Sequence, residues 1–382
     1  MIDLADWRRL AVEDLDEALT RDRPAYDSYA TKLRGLVETL LESEGILTQS
    51  VTARVKTQAS ALAKAARPGQ SIATSADLHD FLGVRVITYF ADQVEAVVAL
   101  LRANFEVDES RTKDRRDSID PDRFGYLSMH LSLKLNEDRR KLVEWLPFGE
   151  ISAEVQIRSS LQHSWAEIEH DLGYKSSSGS IPAQFRRRFS RLAGLLELAD
   201  DEFIALRDGL SKYSSEVAAQ LVSGGDASID QASVRALIDS SADLDAVDSQ
   251  IARTMGAPGI RQVDATYAGA RAEELKKAGF VSIEEVRKRL RQRSDVIERL
   301  ALRWMQDSPS RLKPGSEHLS SINGEGKWIK PLPQGIGLFY LYLDSLAEEG
   351  IDALKSSTLG SANATLFLTV HEEIAAGTSQ EA

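Results

Sequence analysis

The chain has 382 residues, no cysteine and a formal net charge of -12. That length suits two domains, disulfides and thiolate metal sites are excluded, and a cytoplasmic protein is expected. No run of eighteen apolar residues suggests a membrane span, the start MIDLADWRRLAVEDLDEA lacks the pattern of a secretory signal, and the acidic balance disfavours nucleic-acid binding over the whole surface.

Residues 3–45 read as two helices, with Trp7, Leu10, Ala11, Leu15 and Leu19 and then Tyr26, Tyr29, Leu33, Leu36, Leu40 and Leu41 at helical spacing. Residues 51–67 are alanine-rich and read as a third helix or a turn leading into one. Lys56, Ser60, Lys64 and Arg67 then fall near one stripe, with Arg54 off it. Small alanines between the cations would let a phosphate approach the backbone, although a basic stripe is more often a solvated face. After the loop 68–76, Asp77 is a candidate cap for a short helix over Leu78–Leu82. Val84–Phe90 reads as a buried strand and Ala91–Asn104 as an amphipathic helix with Val94, Val97, Val98 and Leu101 inward. Residues 107–124 are dense in charge and read as a solvated connection or a cover over substrate.

Two segments alternate strictly. Tyr126, Ser128, His130 and Ser132 oppose Leu127, Met129, Leu131 and Leu133; Glu154, Gln156 and Arg158 oppose Ala153, Val155 and Ile157. A strand places successive side chains on opposite faces, so each has one apolar face and one carrying groups suited to a nucleotide or phosphate. Leu142–Leu146 reads as a further strand before Pro147, giving a sheet of at least four strands. In the helix Ser160–Leu172, His163, Glu167 and His170 share a face. A nucleotide-contacting or supporting role is more economical there than a transition-metal site, because the chain has only six histidines. Residues 182–220 read as helix, opening with Arg186, Arg187 and Arg188. The Ser/Gly break at 222–230 suggests a domain boundary, placing one domain at 1–221 and a second, mostly helical one at 226–382. Helices are expected near 231–256, 262–278 and 282–306, with Trp328 and Ile329 anchoring the end of a Pro/Gly-rich loop.

Between about residues 45 and 178 these segments resemble the synthetase domain of the RelA/SpoT family, the enzymes that make guanosine tetra- and pentaphosphate. Arg54, Lys56, Ser60 and Lys64 match its Arg-x-Lys-x3-Ser-x3-Lys run; Asp80, Gly83 and Arg85 its Asp-x-x-Gly-x-Arg; Gly125, Tyr126, Ser128 and His130 its Gly-Tyr-x-Ser-x-His; Glu154, Gln156 and Arg158 its Glu-x-Gln-Ile-Arg. His163, Trp165, Glu167, Glu169, His170, Tyr174 and Lys175 match the closing helix of the small, single-function synthetases. The resemblance implies an α/β (α+β) fold, a mixed sheet flanked by helices, here followed by a mostly α-helical module. It also implies transfer of the β,γ-pyrophosphoryl group of ATP to the ribose 3′-hydroxyl of GDP or GTP. In that family pattern Asp80 and Glu154 are the catalytic pair and hold Mg²⁺. Arg54, Lys56, Ser60, Lys64 and Arg85 bind ATP. Tyr126, Ser128, His130, Gln156, Arg158, His170 and Lys175 form the acceptor side, with Tyr126 stacked on guanine.

Two departures stand out. His79-Asp80 lies inside the synthetase pattern, with no upstream hydrolase domain, so degradation of the product is not expected. Where many members have a lysine before Gly-Tyr, this chain has Pro121-Asp122-Arg123-Phe124. An acceptor other than guanine nucleotide, either an adenine nucleotide or the tRNA 3′ end as in toxic relatives, is therefore the alternative, as is a catalytically silent nucleotide sensor. The residues beyond 226 are expected to regulate the enzyme or support a homo-oligomer.

Overall fold

A computed structural model describes residues 4–66, 78–114, 128–174, 183–307 and 330–378. Arg67, Asp77, Gly125, Tyr126, Lys175, Trp328 and Ile329 lie outside them. The chain divides into two compact units, Met1–Arg207 and Asp208–Ala382. The division falls within a helix, upstream of the Ser/Gly break.

The first unit opens with one helix, α1 (Leu4–Ser43), and not with two. Leu15, Leu19, Tyr26, Tyr29, Leu33, Val37 and Leu41 are all buried, so a single apolar stripe runs past Pro24. The proline removes one backbone donor, at a cost of about 3 kcal/mol, but each buried large side chain on the stripe returns roughly 1.5–3 kcal/mol.

Strand β1 (Thr48–Val55) occupies much of the stretch expected to be helical, and α2 is confined to Gln58–Ala65. The alanine-rich composition misleads here. Val51, Thr52 and Val55 are β-branched, and the segment pairs antiparallel with β2 (Leu82–Thr88) from Thr48 opposite Thr88 to Val55 opposite Leu82. Those ladder bonds override local helix propensity. Thr57 then starts α2 by accepting the Ser60 N–H. Leu78–Phe81 is a turn closed by the Phe81 N–H on the Leu78 carbonyl, where a short helix was expected, and Leu82 already belongs to β2.

Helix α3 (Gln93–Asn104) buries Val94, Val97, Val98 and Leu101 as expected. Strands β3 (Phe105–Val107), β4 (Lys113–Asp114) and β5 (Met129–Leu135) follow, then the short α4 (Glu137–Arg140). Leu142–Leu146 is not a strand. It turns into a 3₁₀ segment, Leu146–Phe148, with Pro147 unable to donate to a ladder. Aromatic packing anchors it: Phe148 stacks on Tyr29 with ring centroids 5.2 Å apart, and Trp145 meets Tyr29 at 6.4 Å. Strand β6 (Ala153–Ser159) runs directly into α5 (Ser160–Tyr174), and α6 spans Ala183–Val222.

Among the described residues six strands form one mixed sheet in the order β1-β2-β6-β5-β3, with β4 added on β5. β2 and β6 are parallel, and the other pairs are antiparallel. One face carries Val84, Val86, Leu131, Leu133, Val155 and Ile157, buried in a core shared with α1 and α3. Leucine and valine dominate that face, so the alternation seen in sequence leaves the other face to the polar groups.

The second unit is mostly helical: α7 (Gln231–Ser240), α8 (Ala242–Thr254), α9 (Ala265–Lys277), α10 (Ile283–Asp307), α11 (Ile336–Glu349), α12 (Ile351–Lys355) and α13 (Gly360–Thr378). A minimal parallel pair, β7 (Ile260–Arg261) and β8 (Leu332–Pro333), accompanies them. The helical stretch expected near 231–256 breaks at Ser241. This residue is extended at φ -88° and ψ 109°, and its side chain accepts the Leu244 N–H to begin α8. Buried Asp248 accepts the backbone N–H groups of Gly335 at 2.5 Å and Gly337 at 2.8 Å, fixing the start of α11. Gly335 has φ 83°, a conformation that excludes most side chains. Burial pushes the Asp248 carboxyl up to about 7, against the pull of those two donors. No helix among the described residues is long and apolar enough to cross a membrane.

Candidate active site on the polar face of the sheet

Strand register brings the polar side chains together. Thr52, Arg85, Gln156 and His130 are successive partners across β1, β2, β6 and β5, and Lys113 of β4 lies opposite His130. A neighbouring row holds Arg54, Gly83, Glu154 and Ser132. Strands lie about 4.8 Å apart, so residues far apart in sequence become side-by-side neighbours. Ser128 and His130 are buried; Arg54 is exposed near the edge.

Glu154 is held from two sides. His130 Nδ1 lies 3.2 Å from Glu154 Oε1, and Gln156 Nε2 donates to Oε2 at 3.0 Å. Arg158 Nη2 in turn donates to Gln156 Oε1 at 3.1 Å. Burial pushes the Glu154 carboxyl up, but His130 and Gln156 pull harder and leave it below its ordinary value; the charge of Asp80 opposes them. The two carboxylates thus sense each other across the start of β2.

Asp80 sits in the turn before β2. Its Oδ2 receives Lys56 Nζ at 2.5 Å and Lys64 Nζ at 2.8 Å. Burial raises its pKa, yet the two ammonium groups outweigh that and the carboxyl stays below its usual range. Its Oδ1 is buried and has no hydrogen-bond partner among the described residues. The strand end at Lys56 and the helix position at Lys64 converge because Thr57 turns the chain between them. Ser60 is exposed on the first turn of α2, accepting from the Thr57 hydroxyl at 2.9 Å.

Helix α5 supplies groups whose partners sequence reading did not assign. Glu167 Oε1 lies 3.0 Å from Arg85 Nη1. Burial pushes the His163 imidazole pKa down, and the charges of Arg85 and Arg158 add to this while Glu167 opposes it. His170 is exposed, 3.8 Å from Asp171 Oδ1. His79 Nδ1 lies 3.3 Å from the Ser152 hydroxyl. Lys113 is one of the basic residues of the charge-dense run before the site, and pairing of β4 with β5 places it opposite His130. Among the described residues no three His, Cys, Asp or Glu side chains cluster as a metal site.

Known proteins are similar to this chain. The model of the "region found in RelA / SpoT proteins" matches residues 53–179. GTP pyrophosphokinase YjbM of Bacillus subtilis is 32% identical over 195 residues, covering 48% of this chain and 84% of that protein. GTP pyrophosphokinase YwaC of the same organism is 28% identical over 157 residues, covering 40% and 71%. Among solved structures, small alarmone synthetase 1 from B. subtilis is 30% identical, covering 51% of this chain and 96% of its own, with a TM-score of 0.40. A GTP pyrophosphokinase family protein from Streptococcus pneumoniae is 28% identical, covering 52% and 94%, with a TM-score of 0.41.

Proposed function

The chain belongs to the RelA/SpoT family, and on that premise we propose that it transfers the β,γ-pyrophosphoryl group of ATP to the ribose 3′-hydroxyl of GDP or GTP. The carrying observation is the convergence on one sheet face of Arg85, Gln156, Glu154 and His130 beside an Asp80 held by two lysines. Pyrophosphoryl transfer demands positioning and charge neutralisation more than covalent participation by the protein.

In this reading Lys56 and Lys64 exchange the Asp80 carboxylate for phosphate oxygens, the same anion chemistry at a better-charged ligand. Arg54 and Arg85 flank the ATP, by phosphate contact or by stacking on adenine. Glu154, ionised and fixed by His130 and Gln156, accepts the proton of the acceptor hydroxyl. Tyr126 offers its ring to guanine. The residues fit Mg²⁺: Asp80 presents a buried Oδ1 with no hydrogen-bond partner among the described residues, and Glu154 is the second carboxylate. Such an ion is held by one or two carboxylates together with substrate phosphates, so a three-ligand protein cage is not required. When bound, Mg²⁺ would neutralise charge on the phosphates.

Purified protein mixed with ATP, Mg²⁺ and GDP or GTP should release AMP and a pyrophosphorylated guanine nucleotide. A competition among GDP, GTP, ATP and tRNA identifies the acceptor. Exclusive labelling of tRNA would overturn the guanine assignment, and nucleotide binding without AMP release would make the protein a sensor.

For the second unit we propose control or assembly. Deleting residues 208–382 should raise the rate if the unit inhibits, or lower the particle mass if it assembles copies. No change in either ends both roles.

A further inference from the structure

We infer that a polar edge of α1, with Arg23 at its centre, is a positioning element for the two lysines that meet ATP. The inference rests on the reading of Lys56 and Lys64 as phosphate ligands. Asp16, Thr20, Arg23 and Asp27 follow one another at steps of four, three and four, which lines them up along one side of a helix. The neighbouring Leu15, Leu19 and Tyr26 are buried and dock α1 on the core. The polar edge meets the turn between β1 and α2 instead. Arg23 Nη1 donates to the Lys56 carbonyl at 2.8 Å, and its Nε lies 3.1 Å from Asp27 Oδ2. Gln58 Nε2 lies 3.0 Å from the Asp16 carbonyl and 2.9 Å from the Thr20 hydroxyl, beside the Asp16 carboxylate.

Lys56 is thereby held at both backbone groups. Its N–H donates to the Phe81 carbonyl at 2.8 Å, one residue past Asp80, and its C=O accepts from Arg23. Tyr26, one turn beyond Arg23, packs edge-on against the Phe81 ring with centroids 4.9 Å apart, so α1 also braces the Asp80 turn. Lys56 leaves a strand and Lys64 a helix, yet both ammonium groups reach one oxygen, Asp80 Oδ2, at 2.5 and 2.8 Å. Their convergence depends on the bend at Thr57, and α1 grips the residue on each side of it. Two cations already converged on one anion take a second with little ordering cost. A slack turn lets them part, and ATP binding must then order them. The acceptor side is held by other contacts, His130 and Gln156 on Glu154.

The full-length chain tests this with Arg23→Met, which removes the donor and keeps the stem. The KM for ATP, and the Kd of the α,β-methylene analogue of ATP by calorimetry, should each rise about fivefold, as for one hydrogen bond of ordinary net strength, with acceptor KM changed less than about twofold. Arg23→Lys, which still offers a charged donor to the carbonyl, should recover most of the affinity. Gln58→Met should reproduce the ATP-selective loss. Arg102→Met breaks the surface pair of Arg102 with Glu109 and, as the control, should leave both constants unchanged. Unchanged analogue affinity in Arg23→Met would overturn the inference, as would equal losses for ATP and acceptor, or no recovery in Arg23→Lys. If Arg23→Met does not fold, Gln58→Met decides. A parent chain that binds the analogue but releases no AMP with any acceptor ends the catalytic reading, and the analogue affinities alone then judge the positioning. A parent that binds no analogue ends both.

Discussion

The two units use the same charged residue types in opposite ways. In the first, Asp80, Lys56 and Lys64 meet with side chains 22%, 31% and 33% exposed, and one Asp80 oxygen lacks a partner among the described residues. In the second, Asp344 is 0% exposed and closed on all sides: Arg293 grips it with Nε at 2.9 Å and Nη2 at 2.6 Å, and His371 Nε2 lies 3.0 Å away. A buried, fully paired charge fixes one packing arrangement and has nothing to offer a ligand. A half-buried pair with an open lone pair can exchange its partner. Charge content alone therefore does not locate chemistry.

The sharpest test of this contrast is Asp80→Asn or Glu154→Gln. Either should lower AMP release by roughly a thousandfold or more, because the charge is needed by the phosphates' counter-ion and the acceptor proton. Thermal unfolding should shift little. Near-normal rates in either variant would remove that residue from the chemistry, and a collapse of stability would make the first unit resemble the second.

Arg293→Met is the converse experiment. Leaving Asp344 buried without its guanidinium should cost about 3–5 kcal/mol in urea unfolding of the second unit. A loss below about 1 kcal/mol would mean that His371 suffices and the contrast is overstated.

Tyr126→Ala should weaken acceptor use roughly tenfold to a hundredfold with ATP binding nearly intact, and Tyr126→Phe should be much milder because the stacking face survives. Equal losses in both would assign the role to the hydroxyl. Smallest of all, Glu167→Gln removes the partner of Arg85, but Glu167 is 54% exposed, so stability should change by less than about 1 kcal/mol. A larger loss by denaturant titration would place that pair with the sealed ones.

Much of the site was legible because its signals are local. Glu154, Gln156 and Arg158 alternate with Ala153, Val155 and Ile157, and α3 shows its four inward residues at helical spacing. The errors fall where non-local pairing outweighs propensity. The alanines of 51–67 outweighed the β-branched Val51, Thr52 and Val55 in the reading, and the ladder with β2 makes Thr48–Val55 a strand. The two apolar sets in 3–45 were read as separate helices, where one continuous stripe keeps α1 whole.

By itself the sequence determined the residue types of the site, their order along the chain and which of them share a strand face, since alternation follows from backbone geometry alone. It could not determine who pairs with whom. That Lys56 and Lys64 close on Asp80, that Glu167 answers Arg85, and that Lys113 stands opposite His130 are results of strand register and of the turn at Thr57. The physical reason is that register and helix docking are set by burying the apolar face of the whole sheet, a sum over many distant residues that no short segment encodes.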